Sequence, residues 1–338
     1  MMNLFFNNMN FKKNKILVTG GAGLIGLEVC KQLNKLGHEV HLFDLGEQIK
    51  RVEHAISKDI KIYYGSIVDV SSLRNAIEGC DIVIHLAALL GVRRSESDKL
   101  RCLEINVDGT KNVLDCAIQH GVKKIVFASS SEIYGEPLSN PITESNISQG
   151  KTIYAVTKLV GEEMCKAYSQ KYLIDYTILR YFNCYGPFQT AQFVISKFIK
   201  RAINNEPPIV NGKGNQIRSY TFVTDTAKAT VLSALSDKVN GEIMNIGNGD
   251  QPISLLDLAT NIIKWSGKEG KLKPKLLDNF IDTDRSEGRE IFERFCDSSK
   301  AKKLLNWDVN ISLEEGVKKI IDKGEIFDRW ENLYDEQN

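Results

Sequence analysis

Two patterns of apolar and polar residues alternate along the first half of the chain. Short apolar runs of strand type are Lys15-Ile16-Leu17-Val18-Thr19, Glu39-Val40-His41-Leu42-Phe43, Ile60-Lys61-Ile62-Tyr63-Tyr64, Asp81 to Ala88 and Lys123 to Ala128. Between them lie stretches of helical period. They run through Leu33 and Leu36 to a stop at Gly37, around Ser71 to Ile77, from about Leu100 to Gln119 with closure at Gly121, and across Tyr154. Strands alternating with helices at this spacing predict an α/β fold, a Rossmann-type doubly wound parallel sheet. After one more strand, Tyr176 to Arg180, the regularity loosens. Pro207-Pro208, Gly212-Lys213-Gly214 and Gly247-Asn248-Gly249 punctuate short elements. The expected division is a large unit over 12–180 with segments near 215–235, and a smaller mixed α/β unit over 181–214 and 236–325. Amphipathic helices are expected from Asp257 to Trp265 and from Leu313 to Ile321. The polar tail from Glu325 is expected to fray.

The junction after the first strand carries the first chemical signal. Gly20, Gly23 and Gly26, with Leu24 and Ile25 between them, have the GxxGxxG spacing between a strand and a helix. A tight turn, backbone close enough to touch a pyrophosphate and close helix–strand packing all require glycine. The second strand ends in Asp44, about 20 residues further on, where an acid holds a ribose diol. An acid there repels a 2′-phosphate, so NAD is favoured over NADP. Leu86, Ala87 and Ala88 put small residues at another strand's carboxyl end, where open α/β sheets bind ligands. Asn106 lies in the next helix, within reach of a cofactor or of a structural hydrogen bond.

Composition narrows the partners. The chain has 338 residues, 42% of them hydrophobic, enough for one large or two coupled domains. Lys and Arg (44) balance Asp and Glu (43), so no strong field favours nucleic acid or an anionic membrane. No apolar run approaches the roughly 18 residues of a membrane span, and Met1 to Asn10 lacks the basic start of a secretory signal. Seven cysteines without a CxxC pair read as reduced thiols, and five histidines form no metal-binding array. A cytoplasmic protein without a metal site is expected.

The decisive stretch is Ser129 to Lys158. Hydroxyls and one carboxylate, Ser129-Ser130-Ser131-Glu132, follow a strand, and Tyr154 and Lys158 share a helix face four residues apart. A phenol titrates near pH 10. A neighbouring ammonium and an oxidised nicotinamide are expected to lower that by about two or three units, making a base for a sugar hydroxyl.

With these motifs together, the chain resembles the extended short-chain dehydrogenase/reductase family, specifically its NAD-dependent nucleotide-sugar epimerases, dehydratases and decarboxylases. The likeness spans Lys15 to about Ile321. It rests on Thr19 to Gly26, His85 to Ala88, the serine run, Tyr154 to Lys158, Tyr181-Phe182-Asn183 to Gly186-Pro187, Arg218 to Asp225, and Asp297-Ser298-Ser299-Lys300-Ala301 to Trp307. The resemblance implies roles. Ser130 is the catalytic hydroxyl, Tyr154 the base, and Lys158 holds the nicotinamide ribose. Asn183 and Arg218 hold the diphosphate of a nucleotide sugar, with Arg285 or Arg289 adding a second phosphate contact. Relatives pair the helices near 100–119 and 154–168 into a four-helix bundle, which implies a homodimer.

Two departures from the family pattern bear on the reaction. Ser131-Glu132 replaces the Asp-Glu of 4,6-dehydratases, leaving no acid for the departing hydroxyl, whereas a glutamate at this position occurs in 4-uronate decarboxylases and in many epimerase-like proteins. Gly65-Ser66-Ile67 replaces the usual Gly-Asp-Ile, so Ser66 and Ile67 flank adenine without the acid. The expected reaction is 4-epimerisation by transient C4 oxidation and hydride return. Release of the 4-keto sugar by a 4-dehydrogenase, or loss of CO2 from a uronate assisted by Glu132 and an arginine, are the alternatives. A non-catalytic dinucleotide sensor would lack Ser130, Tyr154 or Lys158, and all three are present.

Overall fold

A computed structural model describes residues 12–277 and 291–324. Seven strands form one sheet: β1 (Lys15–Thr19), β2 (Glu39–Asp44), β3 (Lys61–Tyr64), β4 (Ile82–His85), β5 (Lys124–Ser130), β6 (Asp175–Tyr181) and β7 (Ile243–Ile246). Their order is β7-β6-β5-β4-β1-β2-β3, and every pairing is parallel. The order reverses between β1 and β4, and the crevice outside the strands' carboxyl ends at such a reversal is where doubly wound sheets bind ligands. β5 is buried along its whole length, as a strand covered on both faces must be.

The two faces of the sheet carry separate cores. On one, Leu27, Val29 and Leu33 of the helix Leu24–Lys35 pack with Ala227, Val231 and Leu232 of Val223–Leu235 and with Trp307. On the other, Leu73, Val113 and Cys165 from three helices meet Val83, Ile125 and Phe127. Gly161 sets the depth of the helix Ile153–Tyr172, because a Cβ there would lie 2.2 Å from the Phe127 ring. Glycine at this point lets the helix that carries Tyr154 settle against β5.

The remaining elements build a cap over the carboxyl edge. Ile217–Arg218 pairs with both Ile253–Ser254 and Glu293–Arg294, and Ile209–Asn211 pairs with Lys275–Leu277. A third core, with Phe198, Ile199, Leu258 and Ile262, holds the cap together. The expected division needs one revision. Ile243–Ile246, grouped by sequence with the smaller unit, is the edge strand of the large sheet, drawn there by pairing with β6. The expected single helix over 100–119 is likewise Lys99–Leu103, a π turn over Glu104–Asp108, and Gly109–Gln119.

Candidate active site

Gly20, Gly23, Leu24, Ile25 and Gly26 line a cavity of about 480 Å³, within the usual size for a small-ligand site. Gly20 has φ +70°, and a Cβ on it would stand 2.7 Å from the Ala87 nitrogen. A Cβ on Gly26 would stand 2.1 Å from the Gly20 oxygen. No side chain caps the helix that starts at Leu24, so its first N–H groups remain open to a ligand. These residues fit a dinucleotide pyrophosphate. Asp44 closes β2 beside them. Its carboxylate accepts from the Ala22 nitrogen at 2.9 Å and the Leu45 nitrogen at 2.8 Å, yet burial still pushes its pKa up to about 6.

The opposite wall carries the candidate reacting groups. Ser130 ends β5, and its Oγ accepts from the Glu132 nitrogen at 3.2 Å. Tyr154 and Lys158 project from the first turns of Ile153–Tyr172, a helix capped by Thr152, whose side chain accepts from the Ala155 nitrogen. Lys158 Nζ lies 5.7 Å from the Tyr154 ring centroid and 5.1 Å from that of Phe127. The expected acidification of Tyr154 is not what the protein alone provides. Burial and the Glu132 charge raise the phenol's pKa, and a hydrogen bond with Ser130 only partly opposes them. Burial also lowers Lys158 to about 8, because a cation loses hydration against Phe127.

Behind this wall runs a buried polar network. Arg180 on β6 grips Glu162 with two bonds, Nε to Oε1 at 2.9 Å and Nη2 to Oε2 at 2.8 Å, and Ser129 Oγ donates to Glu162 at 2.5 Å. Arg180 also donates to the Tyr134 hydroxyl at 2.9 Å, which donates to Asn245 at 2.7 Å. The network ties the Tyr154 helix to β5, β6 and β7. It fixes the backbone next to Ser130.

The cap supplies the third wall. Arg294 forms an ion pair with Glu132, with only 5% and 11% of the two side chains exposed. Its Nη2 also approaches the Asn183 oxygen at 3.4 Å, and its Nε is buried with no acceptor among the described residues. Asn183 donates to the Ser219 carbonyl at 2.9 Å. Arg218 lines the same cavity, while its Nη1 donates to the carbonyls of Ile217 and Phe292 at 2.9 and 3.2 Å.

The structure thus brings Ser130, Glu132, Tyr154, Lys158, Asn183 and Arg218 to one cavity, with Leu86 and Ala88 also in its wall. Asp44, Ser66, Ile67, Ala87 and Asn106 are not among the residues that line it. Ile67 is core, packed on Gly109. The Asn106 side chain is occupied in the protein's own bonding, accepting from the Leu89 nitrogen at 2.7 Å and donating to the Leu89 oxygen and to Thr157. Of the two roles open to Asn106, these bonds are the structural one, joining the loop at Leu89 to the helix that carries Tyr154. Arg285 and Arg289 lie outside the described residues. The arginine that sequence reasoning missed is Arg294, and a signal was present, since it stands three residues before Asp297 of a motif already recognised.

The fold, the glycine turn and the Ser130–Tyr154–Lys158 wall define a Rossmann-fold enzyme that uses NAD. The chain belongs to the NAD dependent epimerase/dehydratase family, whose model matches residues 16–247. Among its relatives, the UDP-N-acetyl-alpha-D-glucosaminuronate decarboxylase of Bacillus cytotoxicus is 35% identical over 319 residues, covering 91% of this chain and 97% of that protein. The UDP-glucuronate 4-epimerase of Thermodesulfobacterium geofontis is 35% identical over 316 residues, covering 90% and 94%. A crystal structure of UDP-glucuronic acid 4-epimerase from Bacillus cereus with UDP-glucuronic acid and NAD superposes with a TM-score of 0.81 at 30% identity, covering 91% and 98%. Among the described residues no helix is long and apolar enough to cross a membrane.

Proposed function

We propose that the protein oxidises C4 of a UDP-linked sugar acid and promotes loss of its carboxylate as CO2. One observation carries this reading: the buried Glu132–Arg294 pair lines the same cavity as Tyr154. Desolvating two charges costs several kcal/mol per ion, and a neutral sugar gives no reason to place them there. Tyr154 takes the C4 hydroxyl proton, assisted by the Ser130 hydroxyl. Bound NAD supplies the hydride acceptor for C4 and the means of returning that hydride. A 4-keto uronate is a β-keto acid. Its C5–C6 bond breaks, the electron pair moves into the C4 enolate, CO2 departs, and a proton returns to C5. Glu132 beside the substrate carboxylate disfavours that anion and so favours its departure as a neutral gas. Arg294 pairs with Glu132 and holds its carboxylate at the cavity wall.

The second reading is the 4-epimerase expected from sequence. It is supported by the 4-epimerase relatives and by the C4 oxidation that Ser130, Tyr154 and NAD would share in both reactions. In both readings Arg218 and Asn183 hold the diphosphate, and the cap forms the nucleotide-sugar unit. A cytoplasmic homodimer is proposed as well, on the exposed Leu100 and Val156 of the two helices that relatives pair. Its mass in solution tests the dimer. For the reaction, the purified protein is incubated with UDP-glucuronate, UDP-N-acetylglucosaminuronate and UDP-glucose, and the products are weighed and resolved. Loss of CO2 from either sugar acid is the expected result. An isomer of unchanged mass would replace this reading with epimerisation.

A further inference from the structure

Gly186-Pro187-Phe188-Gln189 forms a turn in which the Gln189 nitrogen donates to the Gly186 oxygen at 3.4 Å. Proline occupies its second position, and its third residue, Phe188, has φ +68°. That is the pattern of a type II turn, whose third position ordinarily takes glycine or asparagine. An aromatic residue in the left-handed region is an outlier, and such residues persist only where the surroundings over-determine them, commonly at ligand sites. Here the surroundings do so. Gln189 is held at both ends, donating to the Cys184 oxygen at 2.9 Å and accepting from Ser196 at 3.0 Å. Gly186 lies so close to Val223 that a Cβ would stand 2.5 Å from its Cγ1.

The strained backbone aims the ring across the boundary between cap and sheet. Lys31 Nζ sits 5.3 Å from the ring centroid, and the His54 ring sits 5.8 Å away at 59°. Both residues belong to the large unit, in the helix after the glycine turn and in the segment after β2. Phe188 also lines the cavity, together with the pair Gly23 and Leu24 and with Gln48, Arg51 and Val52. In a doubly wound sheet the first pair faces a pyrophosphate, and residues just past the acid that ends β2 face the adenosine ribose.

We propose that Phe188 is a clasp over the adenosine-diphosphate end of bound NAD, reaching from the cap to keep the cofactor in place between the two hydride transfers. The clasp depends only on the NAD site and holds for either reaction. Its test uses the full chain. Phe188→Gly removes the ring and also relieves the turn, so the cofactor-free protein is expected to melt no lower than the parent. NAD release, followed by trapping it with a second NAD-dependent enzyme, is expected to accelerate by about tenfold or more, equivalent to about 1.4 kcal/mol. Phe188→Tyr should retain NAD like the parent, and Lys31→Gln should release it faster by a smaller factor. Release from Phe188→Gly within about twofold of the parent would overturn the clasp. So would a lowered melting temperature with unchanged release, since that outcome would make Phe188 a packing residue only.

Discussion

The glycine wall and the Glu132–Arg294 wall of the cavity are built in opposite ways. Gly20 to Gly26 lie within one strand–turn–helix unit, so this wall is local in sequence and the spacing alone specifies it. The other wall joins Glu132 to Arg294, 162 residues apart, and Arg294 to Asn183. A local motif encodes a backbone shape; a long-range pair encodes a charge balance that exists only after folding. Tyr154 stands where the two walls meet. Tyr154→Phe is therefore the sharpest break, removing the proton acceptor while leaving the glycine turn whole. A loss of about 10³-fold in turnover is expected, with NAD still bound. Equal loss of bound cofactor would show that the walls are not separable.

Glu132→Gln tests the second wall alone. Removing one member of a buried pair leaves the other unneutralised, which destabilises folding by about 3–5 kcal/mol. The double variant Glu132→Gln, Arg294→Met is expected to recover most of that in denaturant melts, because no buried charge is stranded. It should stay inactive on sugar acids. If the double variant decarboxylated normally, the pair would be structural and the proposed chemistry would fail.

The same contrast explains how much was legible in sequence. β1 matched its expected bounds, and β2 ended at Asp44 as read, because strand and helix periods and glycine turns are properties of neighbouring residues. Arg294 escaped notice because its partner is far away in the chain, although Asp297 marked the place. The π turn at Glu104–Asp108 was hidden for another reason: its helical period continues on both sides, and only the Asn106 bonds to Leu89 and Thr157 reveal why the helix widens there. The burial and the Glu132 charge that oppose ionisation of Tyr154 in the cofactor-free protein were not legible, because spacing gives only the distance to Lys158.

Lys158 provides the smallest and most discriminating effect, one helical turn from Tyr154. Burial lowers its pKa from 10.5 to about 8, so the folded protein releases the proton before the unfolded chain does. Below pH 8 both states are protonated and the full cost of burying the charge is present. Between about pH 8 and 10.5 the unfolded state binds more protons, and stability therefore rises with pH. Lys124 on β5 is lowered to about 8 for the same reason and contributes in the same window with the same sign. Denaturant melts of the cofactor-free protein across that range should show this upward contribution. Lys158→Met should remove its share, at most about 3 kcal/mol over the window, while Lys124→Met removes the other share and leaves NAD binding intact. If Lys158→Met left the slope unchanged, its amine would already be solvated in the folded protein. The wall around Tyr154 would then be wetter than its packing against Phe127 implies.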